Sequence, residues 1–333
     1  MTEPRMRAIV AEERAAVLDL LAGWFDDSAA ADRARACAFF ARYLEHVPTF
    51  RDALCFVAER DGRLLGTLQV FRKRVGLAAG ATLEVAAVGN VYTAPAQRGA
   101  GIASRLLDHA LVQLPAHGFD AALLFASRLD FYGRLGWVTH PRQLDFIPAG
   151  TAPPAPADVE WFDDERHLDG VIAVYDAYNG TVPGATVRDR AHWTGQLRYA
   201  GNPAERAVVA REAGHVVAYA RATTLFDVQV VIEHGALPWA TERLADCIAH
   251  LHAGAAPLPG TLLQLAPDAR LAAALAARGL VPTSIMDPTW MWRIVDPRRL
   301  ADRLGVAAAA LSSAVFAERL PPGASRYWIA DRF

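Results

Sequence analysis

The chain lacks the marks of several large classes of protein. Its three cysteines, Cys37, Cys55 and Cys247, have no metal-ligand spacing and cannot all pair, which fits a reducing cytoplasm. A net charge of −2 gives no general attraction to nucleic acid. No apolar run approaches the length of a membrane span, and the charged N-terminus lacks the apolar core of a signal peptide. The sequence therefore predicts a cytoplasmic protein with no metal, no nucleic-acid partner and no membrane partner.

Length and composition indicate two domains. A chain of 333 residues exceeds one typical domain, and 53% hydrophobic residues are ample for two cores. Residues 148–158 are rich in Pro, Ala and Gly, which is typical of a linker. We therefore expect one domain over residues 1–147, a second over 159–297 and a short C-terminal tail over 298–333.

The most informative segment runs from Val91 to Ala103 and reads as a strand, a glycine-rich turn and a helix. The glycines of Gly99-Ala100-Gly101 allow successive backbone N–H groups to point into one concavity that suits an anion. The helix adds its own unpaired N–H groups and the positive end of its dipole. Apolar residues recur at helical spacing after the turn, at Ile102, Leu106, Leu107, Ala110, Leu111 and Leu114. A diphosphate is the natural ligand of such a turn.

Several known motifs compete for this turn. A dinucleotide-binding turn requires a third glycine that is absent, and a P-loop requires Gly-Lys-Ser/Thr, which is also absent. Arg98, Gly101 and Ala103 instead match Arg/Gln-x-x-Gly-x-Gly/Ala, so the segment resembles the signature of the GNAT N-acetyltransferase superfamily. An ordinary tight turn between a strand and a helix remains the alternative.

A second motif follows at the spacing of the same superfamily. Residues 121–126 form a short apolar run that predicts a buried strand parallel to the one before the turn. Residues 127–138 then resemble a short GNAT helix that carries Tyr132 four residues before Gly136 and Trp137. The resemblance covers residues 50–140 well. It implies an α/β (α+β) GNAT fold with a mixed central sheet flanked by helices.

The second half partly repeats the first. Residues 207–220 echo the hairpin predicted at 54–71, and residues 269–281 echo the Tyr132 helix, with Leu275 in the tyrosine's place. Because this half lacks the glycine turn, we expect a degenerate GNAT-like domain. The tandem arrangement resembles the enhanced-intracellular-survival (Eis) family, in which the chain end is threaded into the active site. The tail here is too short for that family's third domain, and Tyr327-Trp328-Ile329 is predicted to pair as a strand.

The resemblance implies a site for acetyl-CoA as co-substrate. It places the pantetheine arm on the backbone of Val91, Tyr92 and Thr93, with Ser127 and Arg128 lining the opposite wall. The pyrophosphate would then lie near Arg98 and bind the N–H groups of Gly99, Ala100, Gly101, Ile102, Ala103 and Ser104. The cluster Arg72-Lys73-Arg74 is interpreted as a solvated strand end, with the 3′-phosphate of coenzyme A as a weaker alternative.

Roles in catalysis follow from the same resemblance. Tyr132 is the expected general acid, because a phenol with a pKa of about 10 is well matched to a departing thiolate of about 8.5. The base is open between Glu84, which also fits an outward polar position on a strand, and the terminal carboxylate of Phe333. Trp24, Asp26 and Asp27 are candidate residues for binding a cationic amine, although aspartates also favour the end of a helix.

The predicted function is transfer of an acetyl group from acetyl-CoA to a primary amine of a small molecule or a lysine. A catalytically inactive acyl-CoA-binding sensor or assembly protein is the alternative from another class. A tandem acetyltransferase of the mycothiol-synthase kind is a narrower option. The sequence leaves open the acceptor, the base and whether the chain forms a homo-oligomer.

Overall fold

Two seven-stranded mixed sheets, flanked by helices, organise the chain in the computed structural model. The structure describes residues 2–25, 30–77, 80–150, 158–180, 182–199, 205–225, 227–255, 257–266, 268–321 and 324–331. In spatial order the first sheet contains β1 (Arg5–Ala8), β2 (Cys55–Arg60), β3 (Arg63–Gly76), β4 (Thr82–Thr93), β5 (Ala121–Phe125), β14 (Trp290–Ile294) and β6 (Val138–Thr139). The second contains β13 (Thr283–Asp287), β7 (Arg142–Pro148), β12 (Gly260–Leu263), β11 (Val228–Ala236), β10 (His215–Leu225), β9 (Arg206–Glu212) and β8 (Val159–Trp161).

Helices cover the faces of both sheets. They are α1 (Arg14–Ala22), α2 (Ala30–His46), α3 (Ile102–Gln113), α4 (Leu129–Arg134), α5 (Asp164–Asn179), α6 (Arg190–Tyr199), α7 (Thr241–Ala253), α8 (Ala269–Ala277), α9 (Pro297–Leu304) and α10 (Ser313–Arg319). The mixed α/β fold with a repeated unit is the predicted one. Within the ranges that the structure describes, no helix is both long and apolar enough to cross a membrane.

The two sheets exchange one strand each. β7 follows β6 in the chain but lies in the second sheet, where Phe146 pairs with Leu262 and Thr283. β14 comes from the second half but lies in the first sheet, where Trp292 pairs with Leu123 and Val138. Sheet membership therefore departs from the division expected at residue 147. The exchange also gives both sheets the same topology, which is the structural basis of the sequence repeat.

The helix after the glycine turn packs as its spacing predicts. Ile102, Leu106, Leu107, Ala110 and Leu114 are each at most 2% exposed against one face of the first sheet. Burying an aliphatic side chain of this size stabilises a fold by roughly 1.5–3 kcal/mol. The opposite face of this sheet packs against residues of α1, α2, α9 and α10. The turn at the start of α3 is thus held by a well-buried helix.

In each sheet the two central parallel strands separate part-way along their length. β4 and β5 pair from Val85–Ala121 to Ala87–Leu123, and β4 then continues to Thr93 with only β3 beside it. A bulge accompanies the separation at Asn90, which has φ +50° and donates a 2.6 Å hydrogen bond to Gln69. The structure thereby opens a gap beside the end of β4.

The second sheet repeats this arrangement. β11 and β12 pair at Gln229–Thr261 and Val230–Leu262 and then separate. The β10–β11 register shifts between Arg221 and Ala222, just past the last parallel pair. Both units therefore share the same bulge and the same gap.

The C-terminal segment does not form the predicted strand. Residues 325–328 have no regular secondary structure, and Ile329–Asp331 form one turn of 3-10 helix. The backbone bonds of this segment are made to scattered partners: Arg326 N donates to Pro183 O, and Asp331 N donates to Trp328 O. No single neighbouring strand supplies a ladder, so the strand prediction for Tyr327-Trp328-Ile329 is wrong.

Candidate functional site

The glycine turn after β4 presents a set of free backbone donors. Gly99 and Gly101 have φ of +83° and +73°, a conformation that favours glycine, and Gly101 caps α3. Within the described part of the chain, the N–H groups of residues 99–104 make no hydrogen bond, whereas Arg105 N already donates to Gly101 O. Residues 99–101 are also exposed. Six unpaired amides and the positive end of the α3 dipole form an anion site.

Arg98 closes the turn against the end of β4. Its Nε donates to Thr93 O at 3.3 Å, and its guanidinium carbon lies 5.8 Å from the ring centre of Tyr92. The side chain thus keeps a positive charge beside the free amides. From this position the guanidinium could bind phosphate oxygens.

The end of β4 separates two environments. Val91 packs into the apolar cluster under α3, whereas Tyr92 packs against Trp24 on the other face, with ring centres 5.8 Å apart. The hydroxyls of Tyr92 and Thr93 are buried without a hydrogen-bond partner among the described residues. Ser127 and Arg128 are exposed just after β5, on the other side of the gap.

Tyr132 shares the cluster that holds the turn. Its ring packs edge-on against Phe131 and Trp137, at 4.9 and 6.3 Å between ring centres, in the same cluster as Val91 and Ile102. Burial raises the pKa of Tyr132 to about 12, against the opposing effect of the Arg128 charge. Its hydroxyl makes no hydrogen bond to any residue that the structure describes. The phenol is therefore a neutral donor with no acceptor in the described part of the chain.

Comparison with known proteins identifies the fold around this site. Residues 5–139 match the Acetyltransferase (GNAT) domain family. The first half of the chain is therefore similar to a GNAT acetyltransferase domain. A curated relative, an uncharacterized N-acetyltransferase from Streptomyces avermitilis, is 26% identical over 155 residues. That match covers 43% of this chain and 37% of the relative, so the chain spans little more than a third of the relative's length.

Solved structures show that the GNAT fold occurs in tandem. A probable N-acyltransferase from Enterococcus faecalis V583 superimposes with a TM-score of 0.70 at 17% identity, over 91% of this chain and 75% of that one. Eis1 from Mycobacterium abscessus superimposes with a TM-score of 0.55 at 18% identity, over 90% of this chain and 76% of that one. The chain therefore has a tandem, Eis-like GNAT fold.

Glu84 lies at the wrong end of its strand for this site. It stands at the start of β4, where Arg72 donates to its carboxylate at 2.7 Å and its own N–H donates to Asp120 at 2.7 Å. Seven residues separate it from Val91, roughly 23 Å along an extended strand. The structure does not bring Glu84 together with Tyr132.

The acceptor candidates are only partly described. Trp24 is 50% exposed and packs between Phe40 and Tyr92. Asp26 and Asp27 lie outside the described residues, as does Phe333. The structure thus joins Trp24 and Tyr92, for which the sequence predicts separate roles, into one aromatic surface next to the end of β4.

A buried ionic cluster that the sequence does not predict holds the described end of the tail. Arg188 donates to Asp331 through Nε at 3.1 Å and Nη2 at 2.7 Å, and it also contacts Glu233. Although burial opposes it, the charge of Arg188 holds the pKa of Asp331 below its ordinary value. No local pattern in the sequence marks these residues, because they lie far apart in the chain.

Lys73 belongs to the same cluster. It is 2% exposed, and burial lowers the pKa of Lys73 to about 8 while the charge of Asp331 opposes that shift. The interpretation of Arg72-Lys73-Arg74 as a solvated strand end is therefore wrong for Lys73. Alternation in β3 turns this side chain toward the face that the tail covers.

The second unit lacks the phosphate turn. Between β11 and α7, Leu237 N donates to Val217 O, Ala240 N donates to Leu237 O, and Pro238 has no N–H. Leu275 stands in the place of Tyr132 and is fully buried. Two of the amides before α7 are thus used and a third is absent, so the second unit lacks the continuous run of free donors that precedes α3 in the first unit.

Within the described ranges, no group of three or more His, Cys, Asp or Glu side chains is arranged to hold a metal ion.

Proposed function

We propose that this protein is an acetyl-CoA-dependent N-acetyltransferase that acts on a primary amine of a small molecule or a lysine. One observation carries the proposal: Ile102, at the start of the helix whose turn presents free amides, packs in the same cluster as Tyr132, a neutral phenol without a partner among the described residues. The amides suit a diphosphate and the phenol suits a leaving sulfur.

The residues present fit the donor. The pyrophosphate of coenzyme A would bind the amides of the turn, with Arg98 beside them. The pantetheine arm, which carries amide groups, would enter the gap where β4 has lost its parallel partner and pair with the backbone near Val91 and Thr93. Ser127 and Arg128 would line the opposite wall.

Tyr132 would supply the proton. The amine nitrogen bonds to the thioester carbonyl carbon, the carbon–sulfur bond breaks, and the sulfur takes the proton of Tyr132 to leave as the thiol. The proton that the amine nitrogen loses then restores the phenol. With a pKa of about 12, Tyr132 stays protonated at every physiological pH. The gap to a thiol's pKa of about 8.5 disfavours a free phenolate by roughly 5 kcal/mol. We therefore expect the hydroxyl to pass its proton to the sulfur only as the carbon–sulfur bond breaks and charge develops there.

For the amine acceptor we propose only a chemical class, and for the base a single candidate. The exposed Trp24 and the neighbouring Tyr92 offer aromatic faces for a cationic amine. Because Glu84 is held by Arg72 at the far end of β4, the Phe333 carboxylate is the base that we retain for testing.

A matched pair of variants tests the site that the proposal depends on. Ala100→Glu introduces a negative charge among the free amides, and Ala96→Glu introduces the same charge at an exposed position before them. Calorimetry should show binding of acetyl-CoA to the wild type and to Ala96→Glu, with affinity reduced about tenfold or more in Ala100→Glu. Equal affinity in both variants would contradict the phosphate site.

Thiol release with a panel of amines tests the reaction itself. We expect coenzyme A to be released only when a suitable amine is present. Binding of acetyl-CoA without turnover on any amine would instead support the alternative, an inactive acyl-CoA sensor.

A further inference from the structure

The gap in the second sheet is filled by the chain's own C-terminal segment. β11 and β12 stop pairing after Val230 and Leu262, as β4 and β5 do in the first sheet. Residues 324–331, here called the tail segment, run through the space that this separation opens. In the first unit the corresponding gap is the proposed donor site.

Hydrogen bonds attach the tail segment to both sides of the gap. From the β12 side, Gln264 Nε2 donates to Ser325 O at 3.2 Å, and Arg326 Nη2 donates to Ala266 O at 3.4 Å. From the helix that flanks β11, Asn179 Oδ1 accepts from Trp328 Nε1 at 3.1 Å. These contacts take the place of the strand ladder that has ended.

Trp328 occupies the gap itself. It is 1% exposed, and its ring centre lies 4.7 Å from that of His234, which lies on β11 beyond the residues that pair with β12. His234 Nε2 in turn lies 2.9 Å from Gln264 O, across the gap. Burial, with the Arg326 charge, lowers the pKa of His234 to about 3, so this imidazole is a neutral ring that packs against the indole.

An ionic contact links the end of the tail segment to β11. Glu233 precedes His234 on β11, and Arg188 contacts both Glu233 and Asp331. Asp331 and Glu233 have no exposed surface. The guanidinium of Arg188 thus joins the two carboxylates. Asp331 is the residue through which the tail segment is held to β11.

We infer that the gap of the second unit is a peptide-binding groove whose ligand is the tail segment of the same chain, recognised by its tryptophan and its aspartate. Tyr327 connects this groove to the first unit, because its ring packs 5.8 Å from that of Phe125 at the end of β5. The second unit therefore keeps the GNAT gap and uses it to hold the tail beside the first unit.

Hydrogen exchange of the full chain, followed by mass spectrometry, tests the groove without any donor or acceptor. Trp328→Ala removes the indole from the groove, and Trp239→Ala is its control, because Trp239 is 62% exposed in the same unit. The amides of Arg326 and Asp331 are bonded in the wild type. They should exchange on the order of a hundredfold faster in Trp328→Ala and unchanged in the control.

A variant on the groove side makes the test independent of the tail's own sequence. Asn179→Ala removes the acceptor of Trp328 Nε1 and should also speed exchange in the tail segment, while α3 stays protected. Unchanged exchange of the tail segment in both variants would overturn the inference. So would faster exchange spread evenly over the second sheet, since that would make these residues ordinary core. Neither result depends on acetyl-CoA, so the groove and the proposed activity stand or fall separately.

Discussion

Tyr132→Phe removes one oxygen atom and keeps the ring that packs between Phe131 and Trp137. Because the hydroxyl has no partner among the described residues, no hydrogen bond to them is lost, and the free energy of unfolding should change by less than about 1 kcal/mol. Loss of a general acid typically lowers turnover by about 10²–10⁴-fold, or roughly 3–5 kcal/mol of transition-state stabilisation. In this variant turnover should therefore fall strongly while the free energy of unfolding stays nearly unchanged.

Three measurements check this prediction: thiol release at saturating amine, calorimetry with acetyl-CoA, and thermal unfolding. We expect a large loss of turnover, with donor affinity within about threefold, because the anion site lies on α3 and not on α4. Tyr175→Phe is the matched control, since it removes the hydrogen bond from Tyr175 to Thr186 O at 2.6 Å in the second unit. That control should cost about 1 kcal/mol of stability without changing turnover. Turnover of Tyr132→Phe within twofold of the wild type would refute the assignment.

Three further predictions concern the buried Arg188, the ionisation of Tyr132 and the carboxylate of Phe333. Arg188→Met should lower the free energy of unfolding, measured in urea, by about 3–5 kcal/mol, because Asp331 stays buried without its guanidinium partner and Glu233 keeps only the 3.4 Å ion pair with Arg221; a loss under about 1 kcal/mol would contradict this. Burial raises the pKa of Tyr132 to about 12, so the stability linked to its neutral form is present below about pH 10 and lost between about pH 10 and 12. Between pH 9 and pH 11 the free energy of unfolding in urea should fall by about 1.3 kcal/mol less in Tyr132→Phe than in the wild type, and equal losses would argue against this. A glycine added after Phe333 should reduce turnover but not donor affinity, and full activity would remove that carboxylate from consideration.

Much of the first unit was predictable because its signals are local. The glycines of the turn are needed for positive φ within three residues, and the apolar stripe of α3 repeats at the helical period. Tyr132 stands at a fixed spacing from the end of β5. Such features depend on neighbours in the chain, so the sequence predicts them without knowledge of the rest of the fold.

The sequence by itself determined the glycine turn, the buried helix behind it and the tandem repeat, because each is a pattern of adjacent residues. Only the tertiary structure decided where Glu84 and Lys73 lie, which strands the two sheets exchange and what fills the second gap. These depend on contacts such as Arg188 with Asp331, between residues far apart in the chain. A buried charge has no local signature, since its partner, and not its neighbours, makes its burial tolerable.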